Sequence, residues 1–289
     1  MITRSTVQHL RFPFSLFLLP IFLFAVSQAP EIQSANLMVT FIILHLLVYP
    51  ASNGFNSYYD RDEASIGSLK HPPEVTPELL YVSLGLDAIA LLLSLLIDWR
   101  FCLMILLYGV VSKFYSHPAI RLKSYPVIGW VTAVVFQGAY TYLITSYAIS
   151  SVPISSLFDA RFLLPAACGS LLLGGFYPLT QVYQHAEDAR RGDITISLRL
   201  GVRGTFLFVA GMFLLADLCL LFYFWRNASI RVFLIMQMFL LPAFVYFGWW
   251  SSKVFRDTSA VDFTSTMRMN LLSSIPLNIF FLLLSLQVF

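Results

Sequence analysis

Between Asn56 and Gly67 the chain reads NSYYDRDEASIG, which sets Asn56, Asp60, Asp62 and Glu63 at the end of a long apolar run. A second polar cluster, TQVYQHAEDARRGD from Thr180 to Asp193, directly follows the apolar stretch ending at Pro178. Charge is costly at a membrane boundary, so carboxylates gathered there point to a cation site. Hard cations such as Mg²⁺ take oxygen ligands, usually one or two carboxylates completed by water and substrate phosphates. Side chains three and four residues apart share one face of a helix, and Asn56, Asp60 and Glu63 have that spacing, with Asp62 off the face. Gln181, Gln184 and Asp188 repeat it, with Glu187 beside them. Ordinary helix-end charges at the lipid headgroup level are the competing reading for either cluster alone. Two clusters on one side of a membrane favour two halves of one site.

The elements that must position these residues are membrane helices. Only 11% of the 289 residues are charged, 58% are hydrophobic and the mean hydropathy is +0.77, well beyond an ordinary soluble domain. The 27 Phe residues and the Leu-rich runs extend over the whole length, so a single membrane domain over 1–289 and an all-α, polytopic fold are expected. Runs of roughly 17 to 25 apolar residues span a bilayer. Nine are read here, near 12–29, 36–54, 79–97, 101–117, 127–149, 162–184, 204–225, 230–250 and 270–288, around a central cavity between helices. The stretch 101–117 is the weakest, being short and carrying Lys113. No small-residue cleavage site follows the first span, which reads as a retained helix.

Alternating the connecting segments places 14 of the 18 Lys and Arg residues on one side. By the positive-inside rule that side is cytoplasmic, which puts the N-terminus and both acidic clusters there. The clusters follow the second and sixth spans, an offset that suggests duplicated four-helix units. Cys102, Cys168 and Cys219 lie far apart in apolar sequence and read as small core residues. Asp87, Asp217 and His45 fall within spans, where hydrogen bonding to a neighbouring helix is the expected role. No nucleic-acid partner is expected.

These segments carry a resemblance to the UbiA superfamily of membrane prenyltransferases. Asn56-x-x-x-Asp60-x-x-x-Ala64 resembles its first Asp-rich stretch, and the run to Asp188 its second. LRFPFSLFLLP from Leu10 looks like the family's opening helix, YSHPAIRLKSYPVIG from Tyr115 resembles its connecting loop, and DARRGDITISLRLG from Asp188 is similar to its closing segment.

The resemblance implies transfer of a prenyl group from an isoprenoid diphosphate to an unidentified acceptor in a bilayer, through Mg²⁺ ions that bridge the Asp clusters. It implies Asn56 and Asp60 on one metal and Asp188 on another, with Asp62 or Glu63 supplying the ligand missing at Ala64 and Gln181 and Gln184 as further ligands. Tyr115, Arg121, Lys123 and His185 are the implied substrate contacts, Asp60 and Asp188 the catalytic pair, and a bacterial inner membrane the location. Three acids that the family pattern expects fall on Ala64, Gln181 and Gln184, so fewer metals are expected here. Two alternatives remain open: a terpene cyclase of the same superfamily, which quenches the cation internally, and a silent relative that binds isoprenoid lipids. A secondary transporter leaves the matching loop segments unexplained.

Overall fold

Helical segments lie along the apolar stretches read from the sequence. The computed structural model describes every residue except Met1, Ser151, Ala228 and Phe289. Among these the only β-pairing is an isolated antiparallel bridge between Ile66 and Leu69. In chain order the helices are α1 Arg4–His9, α2 Leu19–Ser27, α3 Ser34–Asp60, α4 Glu78–Ser94, α5 Trp99–Ser116, α6 Pro126–Ile149, α7 Ala160–Gln181, α8 His185–Arg191, α9 Ile196–Arg226, α10 Ile230–Arg256 and α11 Phe263–Ser285. Six segments are long and apolar enough to cross a membrane: α3, α6, the Ala160–Arg191 stretch of α7 and α8, α9, α10 and α11. A seventh is the bent pair Arg4–Phe17 and Leu19–Ser27, broken by 42°. With 17 residues, α4 is only about 26 Å long at 1.5 Å per residue.

The charges expected inside spans are satisfied locally. Lys113 on α5 reaches Asp87 on α4 at 2.5 Å, and Gln237 on α10 donates to Asp217 on α9 at 2.6 Å. His45 bonds the Ser15 hydroxyl at 2.5 Å. Cys168 and Cys219 are free thiols in the apolar core, as the sequence suggests, and helix packing brings their sulfurs to 2.9 Å. They are 51 residues apart, and the packing of α7 along α9 makes them neighbours.

Two helices change pitch along their length, and the turn in α6 does so beside the cavity. In α3 a π-helical turn covers Ile42–Val48, and in α6 another covers Val135–Tyr140. Such wide turns are usually single and often sit at functional places. The second brings Gly138 against α7 so closely that a Cβ there would lie 2.6 Å from the Ser170 Cα. Only glycine permits that approach. The Ser170 hydroxyl accepts from the Ala139 N–H at 2.9 Å and donates to the Val134 carbonyl at 3.1 Å, tying α7 into the irregular turn. One large apolar core surrounds Phe24, whose ring stacks on Phe281 at 4.7 Å. A second gathers around Trp250 and Phe206.

Candidate active site

The two polar clusters meet across a cavity of about 220 Å³. Helix α3 ends at Asp60 because Arg61 turns left-handed, with φ 49° and ψ 49°. On the other side, α7 runs through a short 3₁₀ turn, Val182–Gln184, into α8. Gly192, at φ 75°, closes α8 and turns the chain so that Asp193 and Thr195 also face the cavity. The polar end is lined by Asn56, Asp60, Asp62, Gln181, Gln184 and Asp188. Leu172, Leu173 and Phe176 on α7, with Phe17, Ile21 and Leu277, supply apolar wall. Leu172 lies nine residues before Gln181, about 13 Å along the helix, so the cavity runs from a charged end to a greasy one.

The loop after α5 ties the halves together. Arg121 grips Asp193 with two parallel bonds of 2.7 Å from Nε and Nη2, and Nη2 also reaches Asp60 at 3.2 Å. Lys123 pairs with the other Asp60 oxygen, and Ser124 donates to Asp193 at 2.5 Å. Burial pushes the Asp193 carboxyl up, but the bonds from Arg121 and Ser124 outweigh it and hold the group below its ordinary range. The same bonds to Asp193 raise the Arg121 guanidinium against its own burial. Arg191 bridges Asp62 at 2.5 Å and Glu187 at 2.6 Å. Burial and the neighbouring Asp60 push Asp62 up in spite of Arg191. Buried Glu187 also accepts the backbone N–H groups of Glu63 at 3.0 Å and Ala64 at 3.2 Å.

Several expected positions differ in geometry. The helical-face argument assigned Glu63 inward and Asp62 outward, whereas Asp62 lines the cavity and Glu63 is exposed. The helix stops at Asp60, so the three-residue spacing to Glu63 no longer measures a face. Gln181, Gln184 and Asp188 do share the cavity wall. Gln184 donates to the Ser65 carbonyl at 3.0 Å, and Asp188 accepts from the Thr195 hydroxyl at 3.2 Å. Tyr115 lines the cavity with its hydroxyl bonded to Tyr177, and Lys123 lines it as well. Arg121 stands behind the wall. His185 faces away and bonds the Ser197 hydroxyl at 2.7 Å, because α8 turns its first residue toward α9 while Asp188 looks inward.

Sequence reasoning missed Arg11, Arg191 and Asp193 as cavity residues, and of the two acids it offered in place of Ala64, Asp62 and Glu63, it is Asp62 that lines the cavity. Arg191 and Asp193 stood inside the quoted second cluster, so their proximity to Asp188 was the available signal. Arg11 had none beyond its place in the opening segment.

Similar proteins share this fold. A model of the UbiA prenyltransferase family matches residues 17–272. No curated protein matches the chain. Among solved structures, a UbiA homolog from Archaeoglobus fulgidus bound to GPP and Mg²⁺ is 17% identical with a TM-score of 0.68, covering 97% of this chain and 99% of its own. An apo UbiA homolog from Aeropyrum pernix K1 is 15% identical with a TM-score of 0.73, covering 93% and 97%. A structure concerning digeranylgeranylglyceryl phosphate synthase is 15% identical with a TM-score of 0.60, covering 98% and 97%. Identities this low speak for the fold, and the helical bundle is that fold. With the family match spanning most of the sequence and multiple apolar helices throughout, this multi-pass integral membrane protein belongs to the UbiA prenyltransferase family.

Proposed function

We propose that the protein transfers a prenyl group from an isoprenoid diphosphate to an acceptor within the membrane. The observation that carries this reading is the cavity itself, charged at the end where both motifs meet and apolar along α7. Family membership and the Archaeoglobus structures bound to DMAPP or GPP with Mg²⁺ support it. The diphosphate belongs at the charged end, facing Lys123 and Arg191, and the prenyl chain along Leu172, Leu173 and Phe176. The allylic C–O bond breaks with its electron pair leaving on the diphosphate, and an acceptor nucleophile then bonds the carbon and loses a proton.

A divalent cation fits the polar end. Gln181 Oε1 is buried there without a donor among the described residues, and Asn56, Asp62 and Asp188 add oxygens to the same wall. Among the described residues no three His, Cys, Asp or Glu side chains group into a metal site, so amide oxygens, water and substrate phosphates would complete the ligation. When bound, Mg²⁺ supplies Lewis-acid neutralisation of the departing diphosphate. The protein's part is separate. Lys123 and Arg191 offer ammonium and guanidinium donors, Arg121 fixes Asp60 and Asp193 in register, and apolar side chains exclude water. Phe14, Phe17, Phe176 and Tyr177 line the cavity, and aromatic rings can stabilise an allylic cation through their π-electrons.

The apolar runs support nine spans in one domain over 1–289, the basic residues support a cytoplasmic N-terminus with both motifs on that side, and the resemblance supports a bacterial inner membrane. Asp60 and Glu63, although paired or exposed here, remain ligand candidates for a test by substitution. A silent, lipid-binding relative is favoured by one observation, the pairing of Asp60 with Lys123 and Arg121. Pyrophosphate release separates the readings. The wild-type protein, given Mg²⁺ and prenyl diphosphates of several lengths with candidate acceptors, should release pyrophosphate and form a prenylated product. Asp188→Asn should lower kcat/KM by about 10²-fold, close to 2.7 kcal/mol of transition-state stabilisation, with folding retained. No release over the whole panel sinks the enzyme reading.

A further inference from the structure

The charges that line the cavity pair off unevenly. Lys123 holds Asp60, Arg191 holds Asp62, and Arg121 reaches in to hold Asp193. Two lining charges are left over. Asp188 receives only the Thr195 hydroxyl and has no ion pair among the described residues. Arg11 likewise has no acid within ion-pair reach among them.

Near each leftover a buried polar atom lacks a partner. One helical stretch before Asp188, Gln181 is only 8% exposed, and its Oε1 meets no donor among the described residues. A buried carbonyl oxygen and a carboxylate without an ion pair, both on the wall of one cavity, are oxygen ligands of the kind a hard cation takes. Arg11 Nε is buried and likewise without an acceptor. Its guanidinium is held from behind by the Asn53 carbonyl, 3.3 Å from Nη2, and lies over the Phe14 ring at 5.6 Å. The backbone at Arg11 is left-handed, φ 49° and ψ 47°, between α1 and the 3₁₀ turn Phe12–Phe17. A bulky residue held in that region is strained, and such strain gathers where a side chain must be aimed.

A metal at Asp60 faces a different situation. It must displace the Lys123 ammonium and settle beside the Arg121 guanidinium, both of which already neutralise that carboxylate. Resting on the prenyl diphosphate reading, we propose that the cavity takes its diphosphate with one divalent cation, held by Asp188 and Gln181, while Arg11 gives the phosphate oxygens directly the charge that a further cation would bring.

The test counts metal rather than product. The full-length protein in lipid nanodiscs is dialysed to equilibrium against Mn²⁺ and geranyl S-thiolodiphosphate, an analogue slow to ionise, without any acceptor. One Mn²⁺ should be retained per bound analogue. Asp188→Asn should abolish the retained Mn²⁺, whereas Asp60→Asn should leave the ratio at one. Arg11→Gln should keep the ratio but weaken analogue binding by about tenfold, the scale of a lost charge-assisted hydrogen bond. Arg11→Lys keeps the charge without the planar fork and should fall between, so it carries this arm if Arg11→Gln does not fold. Two or more Mn²⁺ per analogue, or wild-type affinity in the folded Arg11 variants, overturns the proposal and leaves the prenyl diphosphate reading standing. No uptake of the analogue by folded wild-type protein overturns both.

Discussion

Glu187 is the residue on which the geometry of the first motif leans. Its carboxylate accepts two backbone N–H groups from the loop after α3 and a guanidinium from its own helix. Glu187→Gln removes the charge and puts an amide N–H where one of those donors points. Hydrogen bonds to a charged group contribute about 1.5–3 kcal/mol each, so the variant should lose a similar amount in local stability. Limited proteolysis reads it: cleavage within residues 61–70 should quicken while the helices stay resistant. Cleavage at the wild-type rate would show that the loop is held by other means. At this scale the sequence was informative about residue types and poor about partners. Asp60 and Asp188 stand out because acids are rare in the chain. That Arg121 grips Asp193, 72 residues away, has no local signature, since an ion pair between loops depends on helix packing. The misplacement of Glu63 has a narrower cause: Arg61 ends the helix without a glycine to announce it.

At the level of elements, the joint between α6 and α7 sets where the apolar wall stands relative to the charged end. Gly138 and Ser170 meet backbone to backbone, and Gln137, one residue earlier in the π-helical turn, lines the cavity with Leu172 and Leu173. Gly138→Val forces the two helices apart or straightens the turn. Overpacking of this kind costs about 1–3 kcal/mol, so thermal unfolding in detergent should begin at lower temperature, and prenyl diphosphate affinity should fall although no contact to the charged end is touched. An unchanged unfolding midpoint would refute the close packing. The helices themselves were legible as apolar runs of membrane length. Their π-helical turns were not, because a wide turn is fixed by what packs against it. Lys113, which weakened the reading of α5, is explained by Asp87 on the adjoining helix.

Over the whole molecule, the asymmetry of basic residues gives a topological prediction. Single cysteines introduced beside Asp60, Lys123 and Asp188 in a background without Cys102, Cys168 and Cys219 should all react with an impermeant thiol reagent from the cytoplasmic side. Reaction of the first and second motifs from opposite sides would contradict their meeting in one cavity. The overall bundle was legible from hydropathy and the resemblance together, whereas the sidedness rests on charge counting alone.

The clasp between Glu187 and the loop after α3 also bears on how the protein comes into being. Glu63 and Ala64 leave the ribosome more than a hundred residues before the carboxylate that receives their N–H groups. Until α7 and α8 have been inserted, the first motif has its acids but lacks the partner that shapes its loop, and Asp62 lacks Arg191. A nascent chain cut short before α8 therefore carries half a site and no means of closing it. The two halves of the cavity can thus be joined only late in synthesis, when the chain is already anchored by most of its helices.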